Sequence, residues 1–100
     1  MHTAGLLLYL AVSSLDPYER EIVIQQASEL VPWCKAEVES QYVAQGITTY
    51  QWTASYHDRA NILYVKGRLR VHDDYVEARC RIAKGERLMY MTVEIDDPAP

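Results

Sequence analysis

The chain lacks most of the features that announce a function. None of its 100 residues falls in a catalytic signature, a metal-ligand spacing or a glycine-rich phosphate loop. Two cysteines, Cys34 and Cys80, are too few for a disulfide framework, and their separation matches no zinc or redox motif. Both fall on expected core faces, where they read either as buried thiols or as a bridge between helix and sheet, which would need an oxidising compartment. No apolar run approaches the roughly 18 residues of a membrane span. Internal repeats and low-complexity segments are absent as well. The formal net charge of −4 exerts no global pull toward nucleic acid or anionic membrane. A chain of this length is expected to form a single domain with its own hydrophobic core, without obligatory disulfides or metals, and no cofactor is expected.

What is present divides into a front and a back half. Residues 1–58 carry two basic and seven acidic side chains, whereas residues 59–100 carry eight basic and seven acidic ones. The apolar run from Ala4 to Val12 reads as a buried strand, a fifth strand for the sheet. Read instead as a signal-peptide core it has weak flanks: His2 but no Lys or Arg precedes it, and Val12-Ser13-Ser14 is only a passable cleavage site. The strand reading leaves the protein cytoplasmic; the alternative is export with loss of residues 1–14.

Residues 16–46 read as helical. Asp16 and Glu19 have capping-box spacing, and Pro17 suits a first helical position. Ile22, Val23, Ala27, Leu30, Cys34, Val38 and Tyr42 recur in steps that mostly fit one helical stripe, with Glu29, Lys35, Glu37, Glu39 and Gln45 elsewhere. Pro32 removes a hydrogen bond and crowds the preceding turn, at about 3 kcal/mol. Two helices, 17–31 and 33–45, or one kinked helix are therefore expected, ending at Gly46. Trp33 beside the break is expected in the core.

Beyond Gly46 the period becomes two, the rhythm of a half-buried strand. Tyr50, Trp52, Ala54 and Tyr56 form one inward set, followed by a turn at residues 57–61. Leu63, Val65, Leu69 and Val71 form the next, with a bulge or bend at Gly67 and a turn at 72–74. Val76, Ala78, Cys80 and Ile82 form the third. After a turn at 84–86, Met89, Met91, Val93 and Ile95 form the fourth, with Leu88, Tyr90, Thr92 and Glu94 on the far side. Residues 96–100 read as a frayed tail. The expected architecture is α+β: a first segment over 1–15, helix over 16–46, and a curled four-stranded antiparallel meander over 47–95.

Helix followed by meander resembles the layout of the cystatin-like and NTF2-like folds. Gln41-Tyr42-Val43-Ala44-Gln45-Gly46 also resembles the Q-x-V-x-G hairpin of cystatin protease inhibitors. It has one residue too many between Val43 and Gly46, and Val31-Pro32-Trp33 precedes the sheet where that family has a later Pro-Trp turn. The resemblance is one of layout, so no inhibitory residue is assigned.

The outward sets place Lys66, Arg68, Arg70, Arg79 and Arg81 on one sheet face, with Tyr64 and Tyr90 nearby. Such a cluster can attract an acidic protein surface, or with its aromatics take single-stranded nucleic acid; a solvated face of cross-strand ion pairs is the plain alternative. His57-Asp58 and His72-Asp73-Asp74 sit in expected turns, where Asp bonds locally, so neither is taken as a metal or acid–base pair. The expected inner face holds no acid or histidine, which argues against an NTF2-like enzyme pocket. The expected function is a small non-enzymatic interaction module: an inhibitor, adaptor or assembly factor, or a self-associating protein.

Overall fold

The computed structural model describes residues 5–10 and 15–97. It is an α+β fold, one helix packed on an antiparallel sheet. Strand β1 (Gly5–Leu10) is followed by a 3-10 turn (Glu19–Glu21), helix α1 (Ala27–Val43) and strands β2 (Thr49–Arg59), β3 (Ile62–Val71) and β4 (Asp74–Ala83). A second 3-10 turn (Leu88–Tyr90) precedes β5 (Thr92–Asp97). The sheet order is β1-β5-β4-β3-β2, all pairs antiparallel, so β1 is a fifth strand added beyond the meander and β2 forms the opposite edge. The Ser13-Ser14 break and residues 98–100 lie outside the described residues; Asp96 and Asp97, expected in the tail, belong to β5.

The capping box is present, but on a shorter element than the spacing suggested. Asp16 N–H donates to Glu19 Oε1 at 3.0 Å and Glu19 N–H to Asp16 Oδ1 at 2.7 Å, and the turn they cap ends at Glu21. The β-branched run Ile22-Val23-Ile24 then goes extended and pairs with the segment after β4. Leu88 N–H donates to the Ile22 carbonyl at 2.7 Å, and Ile24 N–H to the Glu86 carbonyl at 3.1 Å. These residues prefer an extended backbone, and a partner stretch lies beside them. The helix therefore begins at Ala27, not at residue 17.

Pro32 lies inside α1 without ending it, so the expected pair of helices is one element of 17 residues. Both Pro32 and Ser28, whose carbonyl loses its partner, are exposed, and water can satisfy that carbonyl. Ala27, Leu30, Cys34, Val38 and Tyr42 face the sheet, as their spacing required. Glu37, expected on the polar side, is instead fully buried, its carboxylate approached by Ser40 Oγ at 3.5 Å and Gln41 Nε2 at 3.4 Å. Gly46, at φ 76°, closes the helix: its N–H donates to the Val43 carbonyl and the Ile47 N–H to that of Tyr42, both at 2.9 Å.

The alternation in β3 and β4 is kept throughout: Leu63, Val65, Leu69, Val71, Val76, Ala78, Cys80 and Ile82 are buried. In β2 it is not. A register shift between Thr49 and Trp52 inserts an extra residue, which sets Tyr50 beside Arg70 on the outer face. Tyr50 and Tyr56, both expected inside, are 57% and 55% exposed. The turn after β2 is only Ala60-Asn61, both at positive φ as a type I′ hairpin requires, so His57, Asp58 and Arg59 are strand residues. Gly67 carries no bulge. It is the place where the Trp52 ring lies against the neighbouring strand, and a Cβ there would collide with three ring atoms. The 3-10 turn before β5 inverts the expected order, burying Leu88 and leaving Met89 half-buried.

Cys34 and Cys80 are bridged, with Cα atoms 5.9 Å apart, and both are buried. The reading as two thiols is thereby replaced by its alternative. Trp33 packs half-buried against the core.

Two stability tests follow from this packing. The bridge spans 46 residues, and its loss removes a constraint on the unfolded chain of about 4 kcal/mol. Urea unfolding with and without reductant should show a loss of this order. Gly67→Ala should cost about 1–3 kcal/mol by overpacking in the parent chain, and much less in a Trp52→Ala background, where the ring is gone.

Candidate functional site: the outer face of the sheet

The outer face is organised in rows that the strand register sets. One row runs His57, Tyr64, Arg81, Thr92; the next Ser55, Lys66, Arg79, Glu94; the third Thr53, Arg68, Glu77, Asp96. Arg70 and Tyr75 face each other at the end of the β3–β4 pair. Lys66, Arg68, Arg70, Arg79 and Arg81 therefore share a face, as their alternation predicted, and Tyr64 lies among them.

Each cation has a different setting. Arg68 stands opposite Glu77 in register, yet its guanidinium lies over the Tyr75 ring, 4.4 Å from the centroid. Arg70 lies 5.6 Å from the centroid of Tyr50, and its Nε donates to the His72 carbonyl at 3.4 Å. Arg79 is ion-paired with Glu94, while Arg81 Nε donates to Thr92 Oγ1 at 3.4 Å. Lys66 is directly opposite Arg79, and among the described residues it has no ion-pair partner. Like charges directly opposed across an antiparallel pair are unfavourable, and Arg81 adds a third cation one row away.

A cleft of about 320 Å³ opens at this point, lined by His57, Tyr64, Lys66, Arg79, Arg81 and Glu94 among others. One wall is the stacked pair His57–Tyr64, centroids 4.9 Å apart and planes 13° from parallel. Exposed aromatic rings beside Lys66 and Arg81, which have no ion pair among the described residues, can seat a planar or apolar group that carries negative charge. A neighbouring cleft lined by Thr53, Ser55, Lys66, Arg68 and Glu77 continues the surface toward the β2 edge.

Tyr90 is not part of this face. It sits in the 3-10 turn before β5, where Arg87 Nη2 donates to its hydroxyl at 3.0 Å and Arg87 Nη1 reaches Glu21 at 3.1 Å. The hydrogen bond that Arg87 donates to Glu21, then the nearby Tyr90, raise the Arg87 pKa further, so this guanidinium stays charged and tied to its own neighbours. The residues that sequence reasoning missed are His57, Tyr75 and Tyr50. His57 shares its parity with Thr53 and Ser55, so recognition of Ala60-Asn61 as the whole turn would have put it outward beside Tyr64. Tyr50 follows only from the bulge. Among the described residues, no group of three or more His, Cys, Asp or Glu side chains is placed to hold a metal ion.

The opposed pair makes a directional test possible. Lys66→Glu replaces a repulsive cross-strand neighbour of Arg79 by an attractive one, and should raise stability by about 0.2–1 kcal/mol in urea unfolding, where substitution of a well-placed lysine would lower it. Comparison of the chain with family models, with curated proteins and with solved structures finds no match in any of the three.

Proposed function

We propose that this protein is a small non-enzymatic interaction module that binds an acidic protein partner through the outer sheet face. The observation that carries this reading is the juxtaposition of Lys66 and Arg79, with Arg81 and the stacked His57–Tyr64 pair around one cleft. A partner carboxylate seated beside Lys66 would supply the ion pair that Lys66 lacks and make a second contact with Arg79, whose own pairing is with Glu94. The gain is specific to the bound state, which makes the site selective for anions without requiring a basic protein overall. Arg68 on Tyr75 and Arg70 near Tyr50 extend the surface as rigid, partly apolar contacts of the type enriched at interfaces.

A second reading, single-stranded nucleic acid, is favoured by one observation: the His57–Tyr64 stack offers a flat surface for a base next to cations for phosphates. The protein's net charge of −4 and the acidic Glu77, Glu94 and Asp96 on the same face weigh against it. The buried Cys34–Cys80 bridge supports the exported alternative over a cytoplasmic location, because such bridges persist where the surroundings are oxidising. No helix among the described residues is long and apolar enough to cross a membrane.

Fluorescence anisotropy with two probes tests the reading: a labelled glutamate-rich peptide and a labelled oligothymidylate. The peptide should bind at low salt, and Lys66→Glu and Arg79→Glu should each weaken it about tenfold, the scale of one charge-assisted contact, with no loss of thermal stability for Lys66→Glu. Absence of peptide binding, or indifference to both substitutions, would sink the proposal. Oligothymidylate binding that falls steeply with salt and is lost in His57→Ala would instead establish the nucleic-acid reading.

A further inference from the structure

The β2 edge shows an arrangement independent of the cation face. At 11 residues β2 is the longest strand among the described residues, and among them it pairs on one side only. The direction of its free backbone groups follows from the hairpin. In a two-residue turn the closing pair, here Arg59 and Ile62, exchanges both hydrogen bonds, and bonded pairs then alternate along the ladder. Thr53, Ser55 and His57 therefore bond toward β3. The N–H and C=O groups of Trp52, Ala54, Tyr56 and Asp58 point away from β3, to an edge that no other described strand occupies.

Proteins ordinarily protect such an edge with charges, prolines or bulges. From Thr49 to His57 there is neither a proline nor a Lys, Arg, Asp or Glu. The one bulge sits before Trp52, ahead of the free run. Two exposed tyrosines accompany the edge, Tyr50 and Tyr56. A free edge that carries no charged side chain from Trp52 to His57 is a template for another strand.

We propose that β2 pairs antiparallel with β2 of a second copy, centred on Ala54, joining two five-stranded sheets into one. The strand's own sequence singles out this occupant and this register. Only registers that set outward-pointing residues opposite one another can form the bonds, and centring on Ala54 does so. It opposes Ala54 to its own copy, Tyr56 to Trp52 and Ser55 to Thr53. The first places two small residues on the two-fold axis, the second sets Tyr56 opposite Trp52 on the α1 side, where the Trp52 ring lies over Gly67 and leaves room for it, and the third pairs hydroxyls on the outer side, a favourable pair in antiparallel ladders. Shifting the centre to Ser55 would set Trp52 against Asp58. No like charges meet in the chosen register, and identical edges in antiparallel contact close as a dimer without leaving a β2 edge to propagate. The two-fold axis stands perpendicular to the sheet, so both cation clusters would face the same side.

Size-exclusion chromatography with light scattering on the intact chain tests this directly. The parent should run at twice its chain mass of 11.5 kDa. Ala54→Pro removes an outward N–H while leaving the bonds to β3 in place, and Tyr56→Lys charges the edge through an already exposed side chain. Both should run as monomers with unchanged circular dichroism, and Tyr56→Lys decides the matter if Ala54→Pro does not fold. Ala54→Cys should cross-link into a covalent dimer on mild oxidation. A monomeric parent, a dimer that survives Tyr56→Lys, or a dimeric Ala54→Cys chain that fails to cross-link would each overturn the proposal. Arg79→Glu should remain dimeric, which separates failure here from failure of the cation-face reading.

Discussion

One helix has to cover one face of five strands, and that disproportion shapes the rest of the molecule. Seventeen helical residues reach about 26 Å at 1.5 Å each, whereas an 11-residue strand runs about 36 Å. The helix packs chiefly over β2 and β3 and reaches β4 through the Cys34–Cys80 bridge. It cannot follow β2 to its far end, so Trp52 is covered while Ala54, Tyr56 and Asp58 on the same side are not. Among the described residues the outer face receives no helix. The cation rows and the open edge are what remains when a single helix has been placed.

The parts legible in the sequence were those where burial alone decides the pattern. In β3 and β4 both neighbours are strands and one face is covered, so alternation from Leu63 to Val71 and from Val76 to Ile82 survives intact. An edge strand has no such discipline. With a partner on one side only, β2 tolerates an extra residue, and the parity of Tyr50 is lost to the bulge. The start of the helix misled for a different reason. A capping box satisfies the first N–H groups of any helical turn, including a single 3-10 turn, and it says nothing about how far the helix continues. Ile22-Val23-Ile24 fits a helical stripe and a strand equally, and only the distant backbone of residues 85–88 decides between them.

The cation face was legible for the same reason as the core: it is the other half of the same alternation. Its energetics were not. Two like charges about 5 Å apart in water repel by about 0.8 kcal/mol, small against the several kcal/mol contributed by the bridge and by the buried aliphatics of the inner face. The fold can therefore carry Lys66 against Arg79 without failing, which leaves the pair available to the proposed partner. Sequence spacing also could not foresee that Tyr75 and Tyr50 would each take an arginine, because these contacts need the register and the bulge.

Cys80 joins the two faces in a single strand. It lies between Arg79 and Arg81, its side chain bridged inward to α1 while theirs point outward. A bond to the helix at that residue fixes the depth and rotation of β4 where the cations stand, and the ladder passes that position to Lys66 through the Lys66–Arg79 pairing. Both sulfurs are buried, so reductant gains access only when helix and sheet part. The spacing of the cation rows is then as durable as the core beneath them: the inner face sets the geometry, and the outer face displays it.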